Sequence, residues 1–212
     1  MPATPRRPAC PTLAHLYTDR YTTRMDNRAT ILTSALELWG QRGYDAVGVQ
    51  EVVESAGVTK PTLYHYFGSK RGLLDALIAE RSCGLREALT SAADYHGDLT
   101  GTLEKIVRVY IDFARREAEF YRMQLGFWFA PPQSDEYAAV KASNIGQHAT
   151  LEALFEAAVA DHGNMLGRHK AYAATFLGMI NTYIGLWLNG YAELDDRLVY
   201  GAVHQFQHGI YS

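Results

Sequence analysis

The stretch from Gly43 to Leu74, GYDAVGVQEVVESAGVTKPTLYHYFGSKRGLL, constrains this chain more than any other part of it. Val52, Val53 and Ala56 share one face of a helix expected from about Val49 to Ala56, and Gly57 ends it. A second helix begins at Thr59, and a third opens at Ser69, whose hydroxyl suits a helix N-terminus. Leu73, Leu74, Leu77 and Ile78 carry that third helix onward. Two short helices joined by a tight turn at Ala56-Gly57-Val58 make a helix-turn-helix. Gly57 fits the turn because it takes positive φ without a steric penalty. Upstream, Ile31, Leu32, Ala35, Leu36 and Trp39 recur at helical spacing from Asp26 onward. They supply the surface on which Val52, Val53, Val58, Leu63 and Phe67 can be buried.

That packing turns Thr59, Lys60, Pro61, Thr62, Tyr64 and His65 towards solvent, a set that suits the major groove of DNA. Lys60 can donate to guanine O6 and N7, Thr62 and the Pro61 ring can touch a thymine methyl, and Tyr64 and His65 can reach phosphates or base edges. Lys70, at the start of the next helix, is placed for a phosphate, as are the backbone N–H groups beside it. Tyr64, His65 and Tyr66 are consecutive aromatics, and one helix face cannot bury all three.

The run TKPTLYHYFGSKRGLLDAL, with AGV before it and GYDA upstream, resembles the DNA-binding signature of TetR-family repressors over about residues 28–78. The resemblance implies base or backbone contacts from Thr59, Lys60, Pro61, Thr62, Tyr64 and His65, and phosphate contacts from Tyr66 and Lys70. One departure stands out. Gly48 precedes Val49 where the family usually has Ser or Thr capping the second helix, so a hydroxyl contact to phosphate is lost there.

Composition agrees with a DNA-facing end rather than a basic whole. Of the 212 residues, positions 1–81 hold ten Lys/Arg against eight Asp/Glu, and positions 82–212 hold ten against fifteen. Phosphate neutralisation needs local cations, not a basic protein. The two cysteines, Cys10 and Cys83, cannot build a disulfide framework or a zinc ribbon, so a cytoplasmic, reducing setting is expected. No signal peptide is visible after Arg6 and Arg7. No nucleophile elbow, phosphate loop or carboxylate pair appears, and no enzyme or cofactor is expected.

The expected fold is all-α. Residues 1–24, with Pro2, Pro5, Pro8 and Pro11, read as a flexible tail. Residues 25–72 read as a three-helix DNA-binding head, and residues 73–212 as a larger helical body. Further helices are expected near 99–117, 119–130, 134–161, 168–191 and 195–210, broken by Pro131-Pro132 and by Gly163 and Gly167. Residues 171–192 carry no charged side chain, which is long enough for a membrane span. Asn181, Thr182 and Asn189 interrupt it, and small and bulky stripes divide it, so a helix buried on several sides is the better reading.

The resemblance also implies a homodimer, closed by two C-terminal helices from each copy, and a small effector bound inside the body. The interface is expected at Gly178, Asn181, Gly185, Val199, Val203 and Phe206. Tyr110, Phe113, Phe120, Met123, Phe127, Trp128, Phe155, Phe176, Met179 and Tyr183 offer an aromatic lining with few charges, suited to a largely apolar effector. His204 and His208, four apart on one helix, could clasp a metal, but no third ligand is evident and none is expected. The resemblance therefore implies a sequence-specific repressor, released from a palindromic operator in double-stranded DNA by such an effector.

Overall fold

A computed structural model describes residues 13–209. Nine α-helices follow one another without a strand among those residues: α1 (Leu13–Arg42), α2 (Val49–Ser55), α3 (Lys60–Phe67), α4 (Lys70–Ala92), α5 (Leu99–Arg116), α6 (Ala118–Trp128), α7 (Asp135–Ala157), α8 (His169–Leu188) and α9 (Asp196–His208). Two 3-10 turns, Ala158–Ala160 and Gly163–Met165, join α7 to α8. The first takes over at Ala158, so α7 ends short of the expected residue 161.

The N-terminal end of α1 differs most from expectation. Residues 1–12 lie outside the described residues, but 13–24, expected to be part of a flexible tail, belong to α1. The four prolines behind that expectation all precede Thr12, and neither Pro nor Gly occurs again until Gly40. Nothing in that interval breaks a helix.

The head is packed as its pattern requires. Ile31, Ala35 and Trp39 of α1 are wholly or almost wholly buried against Val52 and Val53 of α2, Leu63 of α3, and Leu73 and Leu74 of α4. Trp39 meets Tyr44 edge-on, with ring centroids 5.0 Å apart. Gly57 turns α2 into α3 at φ +64°, a conformation that would strain any side chain. At Gly72 the restriction is space, since a Cβ there would stand 2.0 Å from the Phe67 carbonyl oxygen. The backbone of α3 and the first turn of α4 therefore touch directly.

The body continues the same core. α4 runs out of the head to pack on α5 and α7, α7 packs on α8, and α9 lies against α5. Four of the helices from α4 onward start on a capping side chain, Ser69 for α4, Asp98 for α5, Ser134 for α7 and Asp195 for α9, whereas α6 and α8 have none. No described helix is long and apolar enough to cross a membrane.

Candidate nucleic-acid interface and effector cavity

α3 buries Leu63 and Phe67, which lie four apart, and so turns its remaining residues outward. Thr59 caps it. Its hydroxyl accepts from the Thr62 N–H at 3.4 Å and pairs with the Thr62 hydroxyl at 2.9 Å. Lys60, Pro61 and His65 are exposed, Tyr64 is 46 % exposed, and Thr62 and Tyr66 are half-buried. The expected recognition residues thus share one outward surface. Tyr66 is drawn towards the core, its ring 6.0 Å from that of Phe67 and 5.5 Å from that of His65.

Without a hydroxyl at Gly48 no side chain caps the first N–H groups of α2, and the contact made there runs the other way. The Gly48 N–H donates to Glu51 Oε1 at 3.1 Å, and Arg42 holds the same carboxylate. First the Gly48 N–H and then Arg42 hold the Glu51 carboxyl below the usual carboxylate range.

Lys70 has a role its sequence position did not reveal. Its Nζ donates to the Tyr44 carbonyl oxygen at 2.6 Å and lies 4.1 Å from the centre of the Tyr44 ring. Tyr44, only 4 % exposed, donates in turn to Asp135 Oδ2 at 3.3 Å. Arg71 reaches the other oxygen of Asp135 at 2.9 Å and spans back to Asp75 at 2.8 Å. Burial, with Asp135 beside it, raises the Tyr44 phenol above its ordinary value, so it stays a donor. Asp135, the first residue of α7, thereby ties the body to the loop and helix that hold the recognition element. Arg71 and Asp135 carry no motif in sequence, and only the approach of α7 to α4 reveals their partnership.

Within the body lies a cavity of about 540 Å³, walled by α4, α6, α7 and α8. Leu85, Leu125, Trp128, Phe129 and Leu177 give its apolar surface, and Tyr121, Gln124, Asn144, Gln147, His148, Asn181 and Thr182 its polar one. Tyr121 donates to Asn181 Oδ1 at 2.7 Å, and Tyr110 donates to Gln147 Oε1 at 2.8 Å from the core behind the wall. Burial raises both phenols, so each remains protonated and donating. Gln124 Oε1 and Asn144 Nδ2 are buried without a partner.

Of the expected aromatic lining only Trp128 faces this cavity, where it stacks on Tyr137 at 5.8 Å. Tyr110, Phe113, Phe120, Met123, Phe127, Phe155 and Phe176 are instead buried in the core, none more than 8 % exposed. Met179 and Tyr183 line a separate, shallower groove between α8 and α9, together with Phe206. Helical spacing gives the period of a side chain and not what it faces, and the bulky aromatics fill space between helices.

The six residues expected at the interface divide between core and surface. Val199 and Val203, 2 % and 1 % exposed, belong to the chain's own core, as α9 turns that face onto α5. Phe206 packs on Phe176, Phe155 and Tyr172, with ring centroids 4.9–6.3 Å apart. Gly178 and Asn181 line the cavity and Gly185 is half-buried. Gly178 is exposed as well, and outward beside it stand Leu186 of α8 and Tyr200, His204 and His208 of α9. The rings of His204 and His208 lie 4.6 Å apart, and no group of three ligating side chains able to hold a metal occurs among the described residues.

Residues 31–77 match the family of bacterial regulatory proteins called tetR. The transcriptional activator FasR from Mycolicibacterium smegmatis is 28 % identical over 191 residues, 88 % of this chain and 83 % of its own length. Two solved folds are similar over 86 % of this chain. The fatty acid degradation regulator FadR from Bacillus halodurans aligns over 98 % of its length with a TM-score of 0.71 and 17 % identity. FadR from Bacillus subtilis, solved in complex with stearoyl-CoA, aligns over 99 % of its length with a TM-score of 0.72 and 16 % identity.

Proposed function

This chain belongs to the TetR family of DNA-binding transcriptional regulators, and we propose that it is a homodimeric repressor released from a palindromic operator by a small, largely apolar effector. The observation that carries this reading is α4. One unbroken helix bears Lys70 beside the recognition element and Leu85 in the cavity wall. A ligand that displaces Leu85 moves a helix whose other end is in direct backbone contact with α3 at Gly72. In a two-fold dimer, tilting each head changes the spacing of the two recognition helices, which must enter successive major grooves. Residues 25–72 act as the head and 73–212 as the body, with α4 crossing the boundary.

Thr59, Lys60, Pro61, Thr62, Tyr64 and His65 are the proposed readers of the operator, and Tyr66 and Lys70 the phosphate anchors. Lys70 can add a phosphate to its Tyr44 contact, because an ammonium has three donors. The dimer is proposed to close on the outward faces of α8 and α9, around Leu186, Tyr200 and His204. An acyl chain is the first effector to try, since the cavity is mostly apolar and the similar FadR of Bacillus subtilis was solved with stearoyl-CoA.

The test is retardation of a DNA fragment from upstream of the chain's own gene, with and without stearoyl-CoA. Specific retention of that fragment over scrambled DNA, relieved by the ligand, is expected. Equal retention of both DNAs would end the operator reading. DNA binding that transcription assays show to raise expression would replace repression by activation.

A further inference from the structure

We infer that the cavity selects uncharged acyl derivatives whose head group both donates and accepts a hydrogen bond, such as amides and alcohols, and turns away the free carboxylate. The inference rests on reading this cavity as the effector site. Its wall carries no Lys, Arg, Asp or Glu, and His148 alone among its side chains can turn cationic, so a carboxylate entering it would lose its water with no permanent cation to face. Tyr121 and Asn181 satisfy each other, Gln147 is held by Tyr110 and Ser143, and the Thr182 hydroxyl donates to the Gly178 carbonyl.

Two amide atoms have no such partner. Gln124 is only 9 % exposed, and its Oε1 is buried without a donor. On α7, which forms another wall of the cavity, Asn144 Nδ2 is buried without an acceptor. Buried polar groups are nearly always paired, and leaving one unpaired is costly. One unmet acceptor and one unmet donor, buried in the walls of the same cavity, define the complement, a ligand that donates to Gln124 and accepts from Asn144 once those amides turn towards it. A carboxylate only accepts, and an ester only accepts. A primary amide or a hydroxyl does both.

Calorimetric titration of the full chain at pH 8 with octanamide, methyl octanoate and octanoate tests this, since the three share one chain and differ in the head. Octanamide is expected to bind about tenfold or more tightly than octanoate, with methyl octanoate between them. Gln124→Leu and Asn144→Leu, each retaining volume, are expected to remove most of the preference for the amide over the ester. Their thermal melting reports whether they fold, and the wild-type series decides the matter if they do not. Octanoate binding as tightly as octanamide, an undiminished preference in folded variants, or no binding of any of the three would overturn the inference. Retardation of the upstream DNA in the presence of octanamide separates the two readings. Binding without release leaves the selectivity standing and removes the effector role, while release by octanoate and octanamide alike does the reverse.

Discussion

In the head, every group proposed to meet DNA, from Thr59 to Lys70, comes from one short run of sequence, capped and punctuated within itself. In the body, the cavity takes Leu85, Gln124, Asn144 and Asn181 from four helices far apart along the chain. The first kind of site is specified by local rules: a cap at Thr59, positive φ at Gly57, and burial of Leu63 and Phe67 that leaves their neighbours outside. The second exists only after the long helices have packed. The two regions meet where α4 crosses between them and where Asp135 of α7 grips Tyr44 and Arg71. Separate specification of a reader and a sensor, joined by a helix and a clasp, lets either change without rebuilding the other.

The largest effect expected falls on the head's own fold. Trp39→Ala removes a fully buried ring that packs on Tyr44, at a cost of about 3–5 kcal/mol in urea unfolding monitored by circular dichroism. A loss under ~1 kcal/mol would mean that the head's core does not depend on α1 as described.

Asp135→Ala sharpens the comparison at the join. It leaves the buried Tyr44 hydroxyl without its acceptor and frees Arg71, and is expected to cost about 1–3 kcal/mol of stability. Most of that comes from Tyr44, because the Arg71 pair is partly exposed and worth little by itself. In the companion Tyr44→Phe, which needs no acceptor, removing Asp135 should cost measurably less. Equal losses in the two backgrounds would show that the clasp does not run through the Tyr44 hydroxyl.

Much of the head was legible in the sequence because its signals are local. Thr59, Ser69 and Gly57 stand where a cap and a turn require them, and the expected starts of α3 and α4 match the observed helices to the residue after each cap. The body was legible only as a set of helices. Phe113 and Phe176 were expected to touch a ligand and fill the core, whereas Gln124 and Asn144 line the cavity without any motif to mark them. Amides gain their meaning from what faces them across a space, and sequence periodicity does not contain that. Val199 and Val203 failed as interface residues for the same reason, since an apolar stripe packs equally well on its own chain.

Within the reader, Lys60→Ala is expected to lower operator affinity by about 1–3 kcal/mol and to relax specificity at one base position, measured by anisotropy on single-base operator variants. Lys70→Ala should weaken binding to all sequences alike and reduce the salt slope by about one. An unchanged sequence preference in Lys60→Ala would show that α3 is not the reading element.

The smallest effect is a pH dependence. The Glu51 carboxyl is held below the ordinary range in the folded chain, so it binds its proton less tightly there than when unfolded. Its stabilising effect is therefore present above the unfolded pKa and is lost as pH falls through the folded one. In thermal melts, Glu51→Gln should flatten the stability profile in that acid range relative to wild type. A profile of unchanged shape would remove Glu51 as the acceptor that holds the Gly48 N–H.

The central claim is that the cavity and the reader share α4, and a wedge at Leu85 tests it without any ligand. Leu85→Trp enlarges a buried side chain where α4 forms the cavity wall. Affinity for the retarded upstream fragment should fall several-fold to a hundredfold, a coupling of about 1–3 kcal/mol, in a variant that still melts cooperatively. A folded Leu85→Trp that binds that fragment as tightly as wild type would contradict the coupling.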